Sequence, residues 1–352
     1  MTPEDTVIGH LDLRGSAEGV LISAMRAGMA RFAGQLNNAF ETDAELLDIG
    51  GAELIALTVD TLTTGAELAQ APTPYEKGWL TTTVSMSDLA AVGARPVAVL
   101  LSCCLPNGHW TERDAREFGS GASDAARAHG GYIVGGDTNW AGEESFTSCA
   151  LGLVPRDGVI GRRGAAPGHA LYTTGPIGGG NATGFRNTVL GSAGAPRWLP
   201  SARCAAAAPL RAFAQACIDT SDGLLSAAMM MADVNQVGVE IHDDAAIYES
   251  SARDLADSAG LPRWLLAVGE WGEYELLYSV RAGDDERDCR NALAERGIPA
   301  VRVGSVTAGR NVVLCGADGG RRDGYELIRR LRAVPAGDGL LSALHDLVGE
   351  GS

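Results

Sequence analysis

An α/β architecture in two domains is predicted by three features of the chain. β-rich apolar runs alternate with segments of helical periodicity, a Gly-, Pro- and Arg-rich stretch at 156–169 interrupts them, and the alternation then restarts. The length of 352 residues suits two domains of roughly 100 to 200 residues each. A hydrophobic fraction of 45% supplies a core for both.

Residues 1–40 repeat apolar positions at Val20, Leu21, Ala24, Met25, Met29 and Phe32, which predicts a helical N-terminal extension. The first domain is assigned to 41–156. Within it, Glu53 to Val59 is β-rich and is expected to end as a strand at Asp60. After Pro72 and Pro74, residues 75–93 have helical spacing closed by Gly93. Pro96 to Leu105 reads as a strand too apolar to face water on either side, and 111–129 as an amphipathic helix stopped by Gly130-Gly131. Tyr132 to Val134 is expected as a short strand opening into a Gly135-Gly136-Asp137 loop, followed by a strand from Phe146 to Val154.

The second domain is assigned to 167–333. Its expected order is strand 170–174, a glycine loop 175–180, a helix to about 191, and a long alanine-rich helix near 201–216. Then come helix 222–234, strand 237–242, a helical stretch to 258, strands 264–268 and 274–280, helix 284–296, and strands 300–306 and 311–315. The tail, 334–352, is expected to be helical.

Composition excludes several function classes. A net charge of -16 argues against a nucleic-acid surface, which needs clustered Lys and Arg. Of the 28 basic residues Lys77 is the sole lysine, so no glycine-rich stretch carries the lysine of a phosphate-binding P-loop. Phosphates would have to be held by Arg, backbone amides and metal ions. The seven cysteines are scattered without a C-x-x-C pair, which reads as buried thiols in a reducing compartment and leaves no zinc site. No signal-peptide pattern or membrane-length apolar run is present, and a cytoplasmic location is expected.

The chemistry concentrates in Ile218-Asp219-Thr220-Ser221-Asp222-Gly223-Leu224. One reading makes Ser221 or Asp222 a helix cap. Similar apolar-Asp-Thr or Gly-Asp-Thr units recur at Val59-Asp60-Thr61 and Gly136-Asp137-Thr138. Asp43, Asp60, Asp88, Asp137, Asp219 and Asp222 all fall at expected strand ends or helix termini, where distant segments can converge. Converging carboxylates raise one another's pKa and require cations, and an oxygen-only set selects Mg²⁺ or a similar hard ion. Such ions with substrate phosphates characterise phosphoryl transfer. The glycine loop Gly175 to Gly180 is either a phosphate cradle or a tight turn without a ligand.

The succession Thr58-Val59-Asp60-Thr61-Leu62, Ser87 to Pro96, Gly135-Gly136-Asp137-Thr138, Arg162 to Gly168, Asp219 to Leu224 and Tyr274-Glu275-Leu276-Leu277 resembles thiamine-monophosphate kinases of the aminoimidazole-ribonucleotide synthetase superfamily. The resemblance spans roughly residues 40–330. It implies a first domain that closes a barrel across a homodimer, a second α/β domain, and ATP with several Mg²⁺ ions between them. It further implies metal contacts from Asp43, Thr58, Asp60, Asp88, Asp137, Asp219 and Asp222, with Asp137, Asp219 and Asp222 central to catalysis. Nucleotide contacts are implied for Gly136, Arg162 and Ser221.

The departures fall mainly on the acceptor side. Thr42 replaces an aspartate, Glu67 aligns with a substrate-facing histidine, and Glu270-Trp271-Gly272-Glu273 replaces Gly-Gly-Glu-Asp. A carboxylate in place of that histidine would repel an anionic acceptor by about 1 to 4 kcal/mol at 4 Å. Trp271, with Trp264, is a candidate aromatic wall, core packing being the alternative. Glu67, Trp271, Gly272, Glu273 and Tyr325 form the candidate acceptor-side set. Three readings follow: a kinase acting on a small molecule other than, or only distantly like, thiamine monophosphate, a synthetase that activates an amide or carboxyl oxygen by phosphorylation, and a non-catalytic relative that binds nucleotide or a partner protein.

Overall fold

Two reciprocal caps set the frame of the N-terminal half. Thr73 accepts from the Glu76 amide while Glu76 accepts from the Thr73 amide, and Thr111 and Asp114 repeat the arrangement. The computed structural model describes residues 17–63, 67–191, 197–316 and 319–333. The expected tail helix lies outside them.

After α1 (Ala17–Ala27), the strands β1 (Glu45–Leu47) and β2 (Glu53–Thr63) form an antiparallel pair. The capped helices are α2 (Pro74–Ala91) and α3 (Glu112–Ala128), separated by β3 (Arg95–Pro106). With β4 (Tyr132–Ala141) and β5 (Ser145–Pro155) the strands make a five-stranded sheet in the order β1-β2-β5-β3-β4, in which only β3 and β4 run parallel.

Strand alternation gives this sheet two unlike faces. Leu54, Ala56 and Leu62 of β2 and Phe146, Ala150 and Val154 of β5 are buried on the helix side. The other side leaves Val59, Leu100 and Val134 at 62%, 48% and 61% exposure, so β3 is not buried on both faces as its composition suggested. β2 runs past Asp60 to Thr63, and β4 continues through the expected Gly135–Asp137 loop.

The C-terminal half is a seven-stranded mixed sheet in the order β12-β11-β8-β10-β6-β9-β7. Its elements are β6 (Ala170–Thr173), α4 (Gly179–Phe185), α5 (Ala207–Phe213), β7 (Ala214–Asp219), α6 (Leu224–Asn235), β8 (Gly238–Asp243), α7 (Ser250–Ser258) and α8 (Leu265–Val268). They continue with β9 (Leu276–Val280), α9 (Asp284–Ala294), β10 (Val301–Thr307), β11 (Val312–Gly316), β12 (Arg321–Asp323) and α10 (Gly324–Arg332). One apolar layer joins Leu224, Leu225 and Met229 of α6 to Leu327 and Ile328 of α10. A second joins Leu210 of α5 to Cys289 and Leu293 of α9.

Two expected elements change type. The alanine-rich helix near 201–216 is the short α5 followed by β7, because Ala214–Asp219 finds strand partners along β9. Residues 264–268 form α8 rather than a strand, and Trp264 is a 6%-exposed core residue under the Arg322 guanidinium, not an open aromatic wall.

The halves are fastened by a strap at 197–206. Trp79 Nε1 donates to the Pro200 carbonyl at 2.7 Å, and the Ala202 amide donates to His129 Nε2 at 3.0 Å. Arg203 forms an ion pair with Glu275. Tyr274, held at φ 59°, packs with Leu62, Leu68 and Leu80 of the N-terminal half. This docking sets α2 against β7.

Candidate active site

Setting α2 against β7 brings Asp88, near the end of the helix, to Asp219, at the end of the strand. Asp43 arrives from the turn before β1, whose Glu41 carbonyl accepts from the Arg162 amide at 2.8 Å. One carboxylate oxygen from each of Asp43, Asp88 and Asp219 lies within 4.8 Å of the others. Thr58 Oγ1 donates to Asp88 Oδ2 at 2.5 Å, and Ser221 Oγ donates to Asp219 Oδ1 at 2.9 Å. Arg162 Nη2 donates to Asp43 Oδ1 at 2.8 Å. Asp60 lies two residues beyond Thr58 on β2, and its charge is the strongest of those acting on Asp88.

The electrostatics are those of crowded anions. Burial, then Asp60, Asp219 and Asp43, push the Asp88 carboxyl well above the ordinary carboxylate range. Burial, followed by the Asp43 charge, raises Asp219 to about 7. Burial opposes the charge on Arg162, but Asp43, Asp88 and Asp219 hold it firmly protonated. Asp43 Oδ2 and Asp219 Oδ2 are buried without a hydrogen-bond partner among the described residues. Buried carboxylate oxygens left over in an all-oxygen set fit a hard divalent cation such as Mg²⁺.

Other site candidates lie outside this group of three. Asp222 is exposed, adds its charge to that felt by Asp219, and does not cap α6. The cap position is Gly223, at φ 86°, where no side chain bonds the helix amides. Asp137 is exposed on the edge strand β4, opposite Ser102, and lies outside the three-carboxylate group. Gly136 allows close approach: a Cβ there would stand 1.9 Å from the Leu101 carbonyl oxygen.

On the acceptor side, the glycine loop is occupied from within. The Gly178 and Asn181 amides donate to the Glu273 carboxylate at 2.8 and 2.9 Å, with Asn181 Nδ2 adding a bond at 2.9 Å. The loop amides therefore hold a side chain where a phosphate cradle was one expectation. Burial raises Glu273 to about 8 despite these donors. Trp271 lies over α4, where a Cβ on Gly184 would meet its ring at 2.3 Å. Its Nε1 is buried without a partner among the described residues. The Gly272 carbonyl accepts from the buried Gln70 at 3.4 Å.

Glu67 begins the 3-10 turn Glu67–Gln70 that carries this glutamine. Tyr325 donates to Asp233 of α6 at 2.7 Å, which makes it an anchor of α10. Sequence reasoning missed Gln70, Asn181 and Arg203. Arg203 was concealed inside the misassigned alanine-rich helix, and the other two carried no local signal.

A helix-covered five-stranded sheet and a seven-stranded mixed sheet meeting at an acidic nest define the class. The AIR synthase related protein N-terminal domain model matches residues 41–154, and the C-terminal domain model matches 166–315. The chain belongs to the AIR synthase-related family. Within it the protein is thiamine-monophosphate kinase-like, an ATP-dependent enzyme of the kinase class. Escherichia coli O157:H7 thiamine-monophosphate kinase is 31% identical over 285 residues, covering 76% of this chain and 83% of the relative. The Stenotrophomonas maltophilia K279a thiamine-monophosphate kinase structure has a TM-score of 0.66 at 29% identity, covering 90% of this chain and 100% of that one. AaThiL complexed with AMPPCP and TMP shares the fold at a TM-score of 0.71 and 21% identity, covering 87% and 94%.

Proposed function

We propose that the protein is an ATP- and Mg²⁺-dependent phosphotransferase whose acceptor is a small molecule other than thiamine monophosphate. The observation that carries this reading is the convergent trio Asp43, Asp88 and Asp219, of which Asp219 is buried and the others half-buried, with two carboxylate oxygens lacking partners among the described residues. These three, with Asp60 and Thr58 beside them, would hold Mg²⁺, which when bound neutralises charge on the phosphate oxygens.

The chain's own residues do the rest. Arg162 supplies a planar fork suited to phosphate, Ser221 orients Asp219, and the strap keeps α2 and β7 in register. The family resemblance would add Asp222, whose charge reaches Asp219, and Asp137, which stands on the edge strand β4 three strands from β2, as further metal contacts. Catalysis then consists of positioning and charge neutralisation without a covalent enzyme intermediate. Glu67 in place of a histidine, and Trp271 covering α4, support a changed acceptor.

The reading includes two domains, 41–156 and 167–333, and a homodimer formed through the exposed sheet face at Val59, Leu100 and Val134. Cytoplasmic residence is part of it: all seven cysteines are free thiols, and no helix among the described residues is long and apolar enough to cross a membrane.

The test is incubation with ATP, Mg²⁺ and a panel of small alcohols and phosphate monoesters, with products identified by mass. A phosphorylated acceptor supports the reading. A ligated or dehydrated product with release of phosphate refutes it in favour of synthetase chemistry. Absence of any nucleotide-induced rise in melting temperature with Mg²⁺ refutes nucleotide binding. Light scattering of Val134→Asp tests the dimer, whose expected loss leaves a monomer.

A further inference from the structure

Arg162 already stands in the nest as a cation. Its side chain is 16% exposed, and it donates to Asp43 Oδ1 from Nη2 at 2.8 Å and from Nε at 3.3 Å. The Asp43 side chain is 1% exposed. No other carboxylate of that turn serves the nest: Thr42 donates its hydroxyl to the Ala44 carbonyl at 2.8 Å, and Glu41 forms an ion pair with Arg163 at 3.3 Å. A divalent ion held at the unpartnered Asp43 Oδ2 with Asp88 and Asp219 would therefore share one buried carboxylate with the Arg162 guanidinium on Oδ1, two cations a few ångströms apart.

We propose that Arg162 is an exchangeable counter-ion, displaced from Asp43 when a divalent cation enters the nest and received by a phosphate oxygen of the nucleotide. This rests on reading the nest as a cation and nucleotide site. Two positive groups repel strongly at such separations in a poorly solvated place. A guanidinium released there needs a new anion, since an unpaired buried charge is costly. Phosphate oxygens match its planar fork. The cation alone must break the Arg162–Asp43 pair without compensation, whereas cation and nucleotide together exchange it for another pair. Arg162 thus couples the two ligands, beyond the complex they form with each other in solution.

The test is calorimetric titration of Mn²⁺ into the metal-free full chain, without nucleotide, for wild type, Arg162→Gln and Arg162→Lys. Arg162→Gln is expected to bind Mn²⁺ at least about tenfold tighter than wild type, while Arg162→Lys stays close to wild type. A non-hydrolysable ATP analogue is expected to tighten Mn²⁺ binding more in wild type than in Arg162→Gln. Equal or weaker Mn²⁺ binding by folded Arg162→Gln overturns the inference, because a residue that merely supports Asp43 gives that result. If Arg162→Gln does not fold, a wild-type crystal soaked in Mn²⁺ alone decides. A guanidinium turned away from Asp43 supports the exchange, and an intact Arg162–Asp43 bond beside a bound ion refutes it. Failure of wild type to bind Mn²⁺ even with the analogue overturns the cation-site reading itself, an outcome separate from failure of the exchange.

Discussion

Melting the metal-free protein at several pH values isolates the repulsion inside the nest. Asp219 is buried, and its carboxyl is raised from the ordinary 3.8 to about 7. In the unfolded chain it ionises near the ordinary value, so the folded state holds the proton longer. Its contribution to stability is therefore fully present below the unfolded value and is lost as pH rises through about 7. The whole difference is worth about 4 kcal/mol, of which about 3 kcal/mol falls between pH 5 and pH 8. For a unit of some 150–250 residues this lowers the melting temperature by roughly 10 °C. Glu273, raised to about 8, adds a fall of the same sign, so the informative quantity is the difference between wild type and Asp219→Asn. The variant should lose less stability on going from pH 5 to pH 8 in EDTA. Mg²⁺ should reverse the wild-type trend at pH 8, where ionised carboxylates bind it. Equal pH slopes for wild type and Asp219→Asn would refute the reasoning.

Asp88→Asn should abolish the nucleotide-plus-Mg²⁺ stabilisation while leaving the metal-free protein folded; thermal shift and calorimetry check the two halves. Gly136→Ala forces a methyl group against the Leu101 carbonyl and should cost about 2 kcal/mol or more, read from urea unfolding. Arg203→Ala leaves Glu275, at 5% exposure, without its cationic partner and should cost about 3 to 5 kcal/mol by the same measurement. Glu273→Ala strands the Gly178 and Asn181 amides and should destabilise by about 3 kcal/mol, with faster amide exchange confined to that loop.

Much of the molecule could be read from local chemistry. Alternating β-rich and helical segments define α/β halves, the prolines before Tyr75 mark the start of α2, and the oxygen-only acidic residues favour a hard cation over a soft one. All of these depend on neighbours a few residues apart. What failed was information carried by partners far along the chain. Alanine favours helix in isolation, yet Ala214–Asp219 became a strand because β9 offered a ladder of backbone partners. The run at 264–268 was too short for periodicity to distinguish helix from strand. Glu273 was identified as an acceptor-side residue, but the amides that hold it lie 92 and 95 residues away, so its role as a loop anchor had no local sign. The same holds for the nest: the sequence by itself named six carboxylates as candidates for a hard cation and could not say which of them meet. Only the packing of α2 on β7 decided that Asp43, Asp88 and Asp219 share one buried space with Arg162, because convergence of charges is a property of distances that no spacing along the chain encodes.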